Sequence, residues 1–169
     1  MSWKNMLDRC YGKQNKNLHP AYFEISEVCD EWLNFQTFAD WYEEKEYKVE
    51  GRLHLDKDIL YPGNKIYSPD KCLLVPQYIN ELFTCKPKDN GLPVGISMSN
   101  SGKFVATYNR KHLGTYPNLL EAYEVYAKAK ETVIKRIAND FKEIIPNDIY
   151  EILMNYRVLI ENDKNYMKK

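Results

Sequence analysis

Apolar residues recur along this chain in blocks, and the spacing inside each block predicts an element. Trp3, Met6, Leu7 and Cys10 fall at i, i+3, i+4 and i+7, which predicts a short amphipathic helix over Trp3–Tyr11. A Gly/Lys/Asn/His-Pro loop follows at residues 12–20. Trp32, Leu33, Phe35, Phe38 and Trp41 predict a second helix over Asp30–Tyr42, ending in solvent at Glu43-Glu44-Lys45-Glu46. Arg52–Leu60 then alternates, with Leu53, Leu55 and Ile59 against His54, Asp56 and Asp58, as a half-buried strand does. Pro62-Gly63-Asn64 is turn chemistry, and Asn64 reads as a turn residue. Cys72–Val75 predicts a second strand, and Pro76 opens a helix over Gln77–Phe83.

The second half changes character after Lys86–Pro93, a Pro/Gly/Lys linker. Val94–Met98 and Lys103–Asn109 predict two strands joined by Ser99-Asn100-Ser101-Gly102. A turn at Arg110-Lys111 leads to a third strand, His112–Tyr116. Leu119, Tyr123, Tyr126, Val133, Ile137 and Phe141 form one stripe of a long helix, Leu119–Phe141, in which Ala122, Ala127 and Ala129 permit close packing. Pro146 opens a last helix running to about Ile160. The fold class this predicts is α+β, with residues 1–85 as one lobe, 86–93 as linker, 94–142 as a sheet-plus-helix module and 143–169 as a terminal helix and tail.

Composition fits a globular chain, at 44% hydrophobic and 28% charged residues. No apolar run approaches the roughly 20 residues a membrane span needs, and no basic-then-apolar leader opens the chain, so the expectation is a soluble, cytoplasmic protein. Cys10, Cys29, Cys72 and Cys85 form no C-x-x-C pair, which disfavours a zinc ribbon and predicts reduced, mostly buried thiols. The 24 basic and 24 acidic residues cancel, but unevenly: residues 22–56 carry ten acids against three bases, while residues 86–142 carry a net +5. The basic half is where a phosphate-facing surface belongs.

Alternation in the three strands sends Phe104, Ala106 and Tyr108 toward the helix. Ser97, Ser99, Lys103, Val105, Thr107, Asn109, Arg110 and His112 then form an outer face, polar and mildly basic, of a width suited to the DNA major groove. Gly95-Ile96-Ser97, Gly102 through Tyr108, His112-Leu113-Gly114-Thr115-Tyr116, Leu120 through Tyr123 and Ala127-Lys128-Ala129 resemble the ethylene-response-factor (APETALA-type) DNA-binding domain over about 50 residues. The resemblance implies double-stranded DNA as partner, read by Ser97, Ser99, Lys103, Thr107, Asn109, Arg110 and His112. A module that merely docks on the first half is the structural alternative.

In the first half, Leu53 through Asp58, Gly63-Asn64, Tyr67 through Pro76 and Ile79-Asn80 resemble the His-Asn-His (HNH) endonuclease motif, a ββα unit clasping one divalent metal. Trp3, Met6-Leu7, Arg9-Cys10-Tyr11, Val28-Cys29, Glu31-Trp32, Phe35, Phe38 and Trp41 resemble the region before that motif in phage-type members. The resemblance implies a phage or mobile-element endonuclease, working in the host cytoplasm and holding one Mg²⁺ or Mn²⁺ on Asp56 and Asn80, oxygen donors of the kind Mg²⁺ prefers. Lys57 stands where the family carries its general-base histidine, and Lys71 stands near its central asparagine. His54, two residues before Asp56 on the same strand face, supplies another imidazole, so the catalytic candidates are His54 and Lys57. Blander roles stay open: His54 as a packing residue, Asp58 as a second ligand or a turn charge, Asn80 as a solvated amide. The alternative function is a catalytically inactive HNH-derived protein that binds DNA or a host defence protein.

Overall fold

A computed structural model describes residues 2–12, 25–84, 90–163 and 165–166. The chain is α+β and divides into two compact units, Met1–Phe83 and Thr84–Lys169. Most of the loop expected at 12–20, Cys85 and the start of the expected linker lie outside the described residues. No helix among the described residues is long and apolar enough to cross a membrane.

The first unit is built around aromatic side chains. Helix α1, Ser2–Tyr11, buries Met6 and Cys10, as its spacing requires. The helix expected over Asp30–Tyr42 is in fact two, α2 at Asp30–Leu33 and α3 at Phe35–Lys45. Asn34 separates them in an extended conformation, and its side chain accepts the Gln36 N–H as an N-cap. The break lets Trp32 turn inward onto Phe38 and Trp41, with ring centroids 5.0 and 4.6 Å away. Trp3 donates its indole N–H to the Trp32 carbonyl at 2.7 Å, tying α1 to the end of α2.

Two short sheets complete this unit. Strand β1, Glu27–Val28, pairs in parallel with β3, Ile66–Tyr67, a ladder too short to leave a periodic trace in sequence. Strand β2 covers only Leu53–Asp56 of the predicted 52–60 and pairs antiparallel with β4, Leu73–Pro76. It stops because the Asp56 carboxylate Oδ1 accepts the N–H groups of Asp58 and Ile59, at 2.8 and 2.7 Å, turning the chain. Helix α4, Gln77–Phe83, follows Pro76 and packs on both β2 and β4, giving a ββα unit.

The second unit is a sheet on a helix. Strands β5, Ile96–Met98, β6, Phe104–Tyr108, and β7, Lys111–Tyr116, form an antiparallel sheet in the order β5-β6-β7. Helix α5, Leu119–Asp140, starts at an Asn118 cap and buries Ala122, Tyr123, Tyr126 and Ala127 against Ile96 and Ala106. Gly95 has a φ of +80°, and a Cβ there would strike the Tyr126 ring and come within 2.9 Å of the Thr107 carbonyl, so only glycine fits.

The terminal helix is shorter than expected: α6 covers Asn147–Met154, and the chain then leaves helical geometry. The Val158 N–H donates to Glu131 of α5, and the Tyr123 hydroxyl donates to the Leu159 carbonyl, drawing residues 158–160 along α5. A 3₁₀ turn at Ile160–Asn162 leads to Asp163, buried, whose Oδ2 accepts the Val94 N–H at 3.0 Å and whose Oδ1 accepts that of Asn165 at 2.9 Å. Residues 143–166 therefore belong to the same unit as the sheet and are no separate tail. Losing this carboxylate leaves buried N–H groups unpaired, so Asp163→Ala is expected to destabilise the second unit by about 2 kcal/mol. The check is the urea midpoint followed by far-ultraviolet circular dichroism; an unchanged midpoint would contradict the clamp.

Candidate functional site

In the ββα unit, alternation along β2 separates two faces. Leu53 and Leu55 pack on the aromatic core, so His54 and Asp56 face the other way, beside Val75 and Leu73 of β4. Val75 and Ile79 of α4 are fully buried, while His54, Asp56 and Asn80 are half-buried. The His54 imidazole makes no hydrogen bond among the described residues.

Lys57 does not share that face. It is 6% exposed, and its ammonium donates to the Asn64 backbone carbonyl, pairs with Asp58 Oδ1 at 3.2 Å and stands 5.9 Å from the Tyr67 ring centroid. Tyr67 belongs to the aromatic core, as does Cys10, whose thiol feels the same ammonium. Asn64 returns the bond: its Nδ2 donates to the Lys57 carbonyl at 3.1 Å and to the Ile66 carbonyl at 2.7 Å, while its Oδ1 accepts the Ile66 N–H. Asn64 is thus the asparagine that fastens this loop, a role its turn chemistry alone did not disclose. Lys71, near the position expected for a central asparagine, is half-buried, and its N–H follows the Ser68 carbonyl in a turn.

Asp56 carries the electrostatic tension of the unit. Burial pushes its carboxyl above the ordinary value and the neighbouring Asp58 charge adds to that, against the two backbone N–H groups on Oδ1. Its Oδ2 accepts no hydrogen bond among the described residues. Two thiols of this unit are buried as well: burial raises Cys10 to about 11 and Cys72 to about 12, which leaves both protonated and unreactive at neutral pH.

Among the described residues, no group of three or more His, Cys, Asp or Glu side chains is placed to hold a metal ion. A hard cation that keeps most of its water needs fewer protein ligands than that. Asp56 offers an anionic oxygen with one side unbonded, in a place where burial disfavours the bare anion, and Asn80 offers an amide oxygen on the helix that packs against the same strand. These residues fit such an ion by donor type and by the charge they leave uncompensated.

The second unit presents the other candidate surface. The register sets Ser97 beside Val105 and Val105 beside Thr115, and sets Thr107 beside His112, all on the face away from α5. A bulge between Ala106 and Thr107 makes Leu113 the extra residue and keeps both His112 and Thr115 on that face, 3.3 Å apart through Nε2 and Oγ1. Thr115 went unassigned in the sequence because strict alternation from His112 carries no sign of the bulge. Ser99 is engaged in the β5–β6 turn, where its Oγ accepts the Lys103 N–H and also bonds the Lys103 carbonyl. The second turn is centred on Asn109-Arg110 rather than Arg110-Lys111, with φ of 48° and 63°, the left-handed pair a two-residue hairpin needs. Lys103, Asn109, Arg110, Lys111 and His112 are all exposed, and no acidic residue occurs between Asp89 and Glu121.

No family model, no curated protein and no solved structure matches this chain.

Because the folded state holds the Asp56 proton more tightly than the unfolded chain, stability falls as pH rises from the unfolded value of about 3.9 through the raised folded one. Ionising this carboxyl in the folded state is thus destabilising. Asp56→Asn keeps an oxygen acceptor for the two N–H groups and removes the charge, so it is expected to raise the urea midpoint at pH 7 and flatten its pH dependence. Added Mg²⁺ should raise the melting temperature of the parent and leave the variant unmoved. A lowered midpoint in Asp56→Asn would overturn this account.

Proposed function

We propose that this chain is a DNA-binding phosphodiesterase of the HNH kind, in which the sheet of the second unit holds duplex DNA and the ββα unit of the first hydrolyses a phosphodiester bond. The observation that carries the DNA reading is the outer sheet face: it bears Lys103 and His112, with Arg110 exposed in its hairpin turn, and the whole sheet lies in a stretch without a single acid. A polyanion is the partner such a surface complements.

For the hydrolysis, His54, on the β2 face shared with Asp56, would take the proton of a water attacking phosphorus, as the bond to the leaving oxygen breaks. Mg²⁺ or Mn²⁺ held by Asp56 and Asn80 would supply neutralisation of the charge on that oxygen. Asp56 Oδ1, anchored by two backbone N–H groups, leaves Oδ2 for that duty. Lys57 anchors the loop instead of exchanging protons. That same observation favours the second reading, a DNA-binding protein without catalysis: the family's base position is filled by a side chain committed to structure.

Supercoiled plasmid separates the two. With Mg²⁺ or Mn²⁺ the parent is expected to convert it to open circle, Asp56→Ala to lose conversion while still binding DNA, and His54→Ala to slow it by roughly 10²-fold or more. Well-folded protein that binds plasmid and never nicks it would establish the second reading.

Arg110 gives an independent test of the DNA surface. A non-glycine residue in left-handed geometry costs roughly 1 kcal/mol or more, so Arg110→Gly is expected to stabilise the hairpin while weakening DNA binding and lowering the salt slope by about 1. Unchanged affinity would remove Arg110 from the interface.

A further inference from the structure

The outer sheet face is unusual in what occupies its middle. Strand β6 is the central strand, and its two outward residues are Val105 and Thr107. Val105 is flanked by Ser97 on one side and Thr115 on the other, and Thr107 by His112. Phe104, Ala106 and Tyr108 of the same strand all pack in the helix-side cluster, and Val105 has no place in it. The middle of the face is thus a set of methyl-bearing side chains, with hydroxyls around them and the cations at the rim. Lys103 stands at one end of β6 and Arg110 at the other, on the order of 20 Å apart along an extended strand. That spacing reaches across a major groove about 12 Å wide, so rim cations would meet phosphates on either side while the middle meets base edges.

Guanine is read in the major groove chiefly by bidentate arginine or lysine, and the middle of this face holds neither. Methyl groups in that position complement one feature of the groove, the C5-methyl of thymine. We infer that Val105 and Thr107 are specificity-determining residues that select A·T-containing duplex through the thymine methyl. This rests on the DNA-binding reading above and names the substrate class of that same surface.

The test compares one long fragment amplified with dTTP or with dUTP, so that every sequence is present in both and only the C5-methyl differs. Affinity of the full chain is measured without divalent ions by competition. Thymine DNA is expected to bind more tightly by about fourfold for each methyl buried. Val105→Ser should abolish most of that preference while keeping the affinity for uracil DNA. Thr107→Ser, which deletes one methyl and keeps the hydroxyl, should reduce it with no change in salt dependence. Equal affinity of the parent for both fragments would overturn this inference and leave the DNA-binding reading standing. Preference retained in both serine variants would overturn the assignment to these residues. Failure to bind either fragment, with the protein folded, would overturn both readings together.

Discussion

The reciprocal clasp between Lys57 and Asn64 is the constraint on which the first unit depends. A lysine is almost never buried without compensation, and here the ammonium finds a backbone carbonyl, a carboxylate and an aromatic face. Asn64 answers by bonding the Lys57 carbonyl and both sides of Ile66. The nine residues 57–65 are closed into a loop whose two ends are β2 and β3, the strands that meet β4 and β1. The turn in which Asp56 Oδ1 is held by the N–H groups of Asp58 and Ile59 lies at the start of that closed loop.

The same closure separates two kinds of charge. Lys57 is satisfied and turned toward the aromatic side, whereas Asp56 is left with an uncompensated burial cost on the opposite face. Proteins tolerate such costs chiefly where the strained group has work to do. Strain recurs at Asn109-Arg110, where an arginine occupies a backbone conformation that glycine would take more easily. Both of these places are ones to which we assign function.

The sequence made some of this legible and withheld the rest for identifiable reasons. The sheet-plus-helix module was readable because period-two alternation and an alanine-rich stripe are local signals, and the observed register respects both. The split between α2 and α3 was hidden, because Asn34 is tolerable within a helix and breaks it only when Trp32 has a core to enter. The pairing of β1 with β3 joins residues 39 positions apart over a two-residue ladder, a contact no periodicity announces. The truncation of α6 depends on Glu131 capturing the Val158 N–H, again a long-range event. At the candidate site, His54 and Asp56 could be placed on one face by counting alone. The burial of Lys57 could not, since its main partner is a backbone carbonyl.

All three tryptophans lie in the first unit, with Trp32 and Trp41 buried side by side, whereas the second unit has tyrosines and no tryptophan. The molecule therefore carries its own spectroscopic label. Emission excited at the red edge of the absorption band comes from the first unit alone, whereas tyrosines are spread over both units. Melting, denaturant unfolding and ligand titrations can each be followed in the first unit by itself, without attaching a dye.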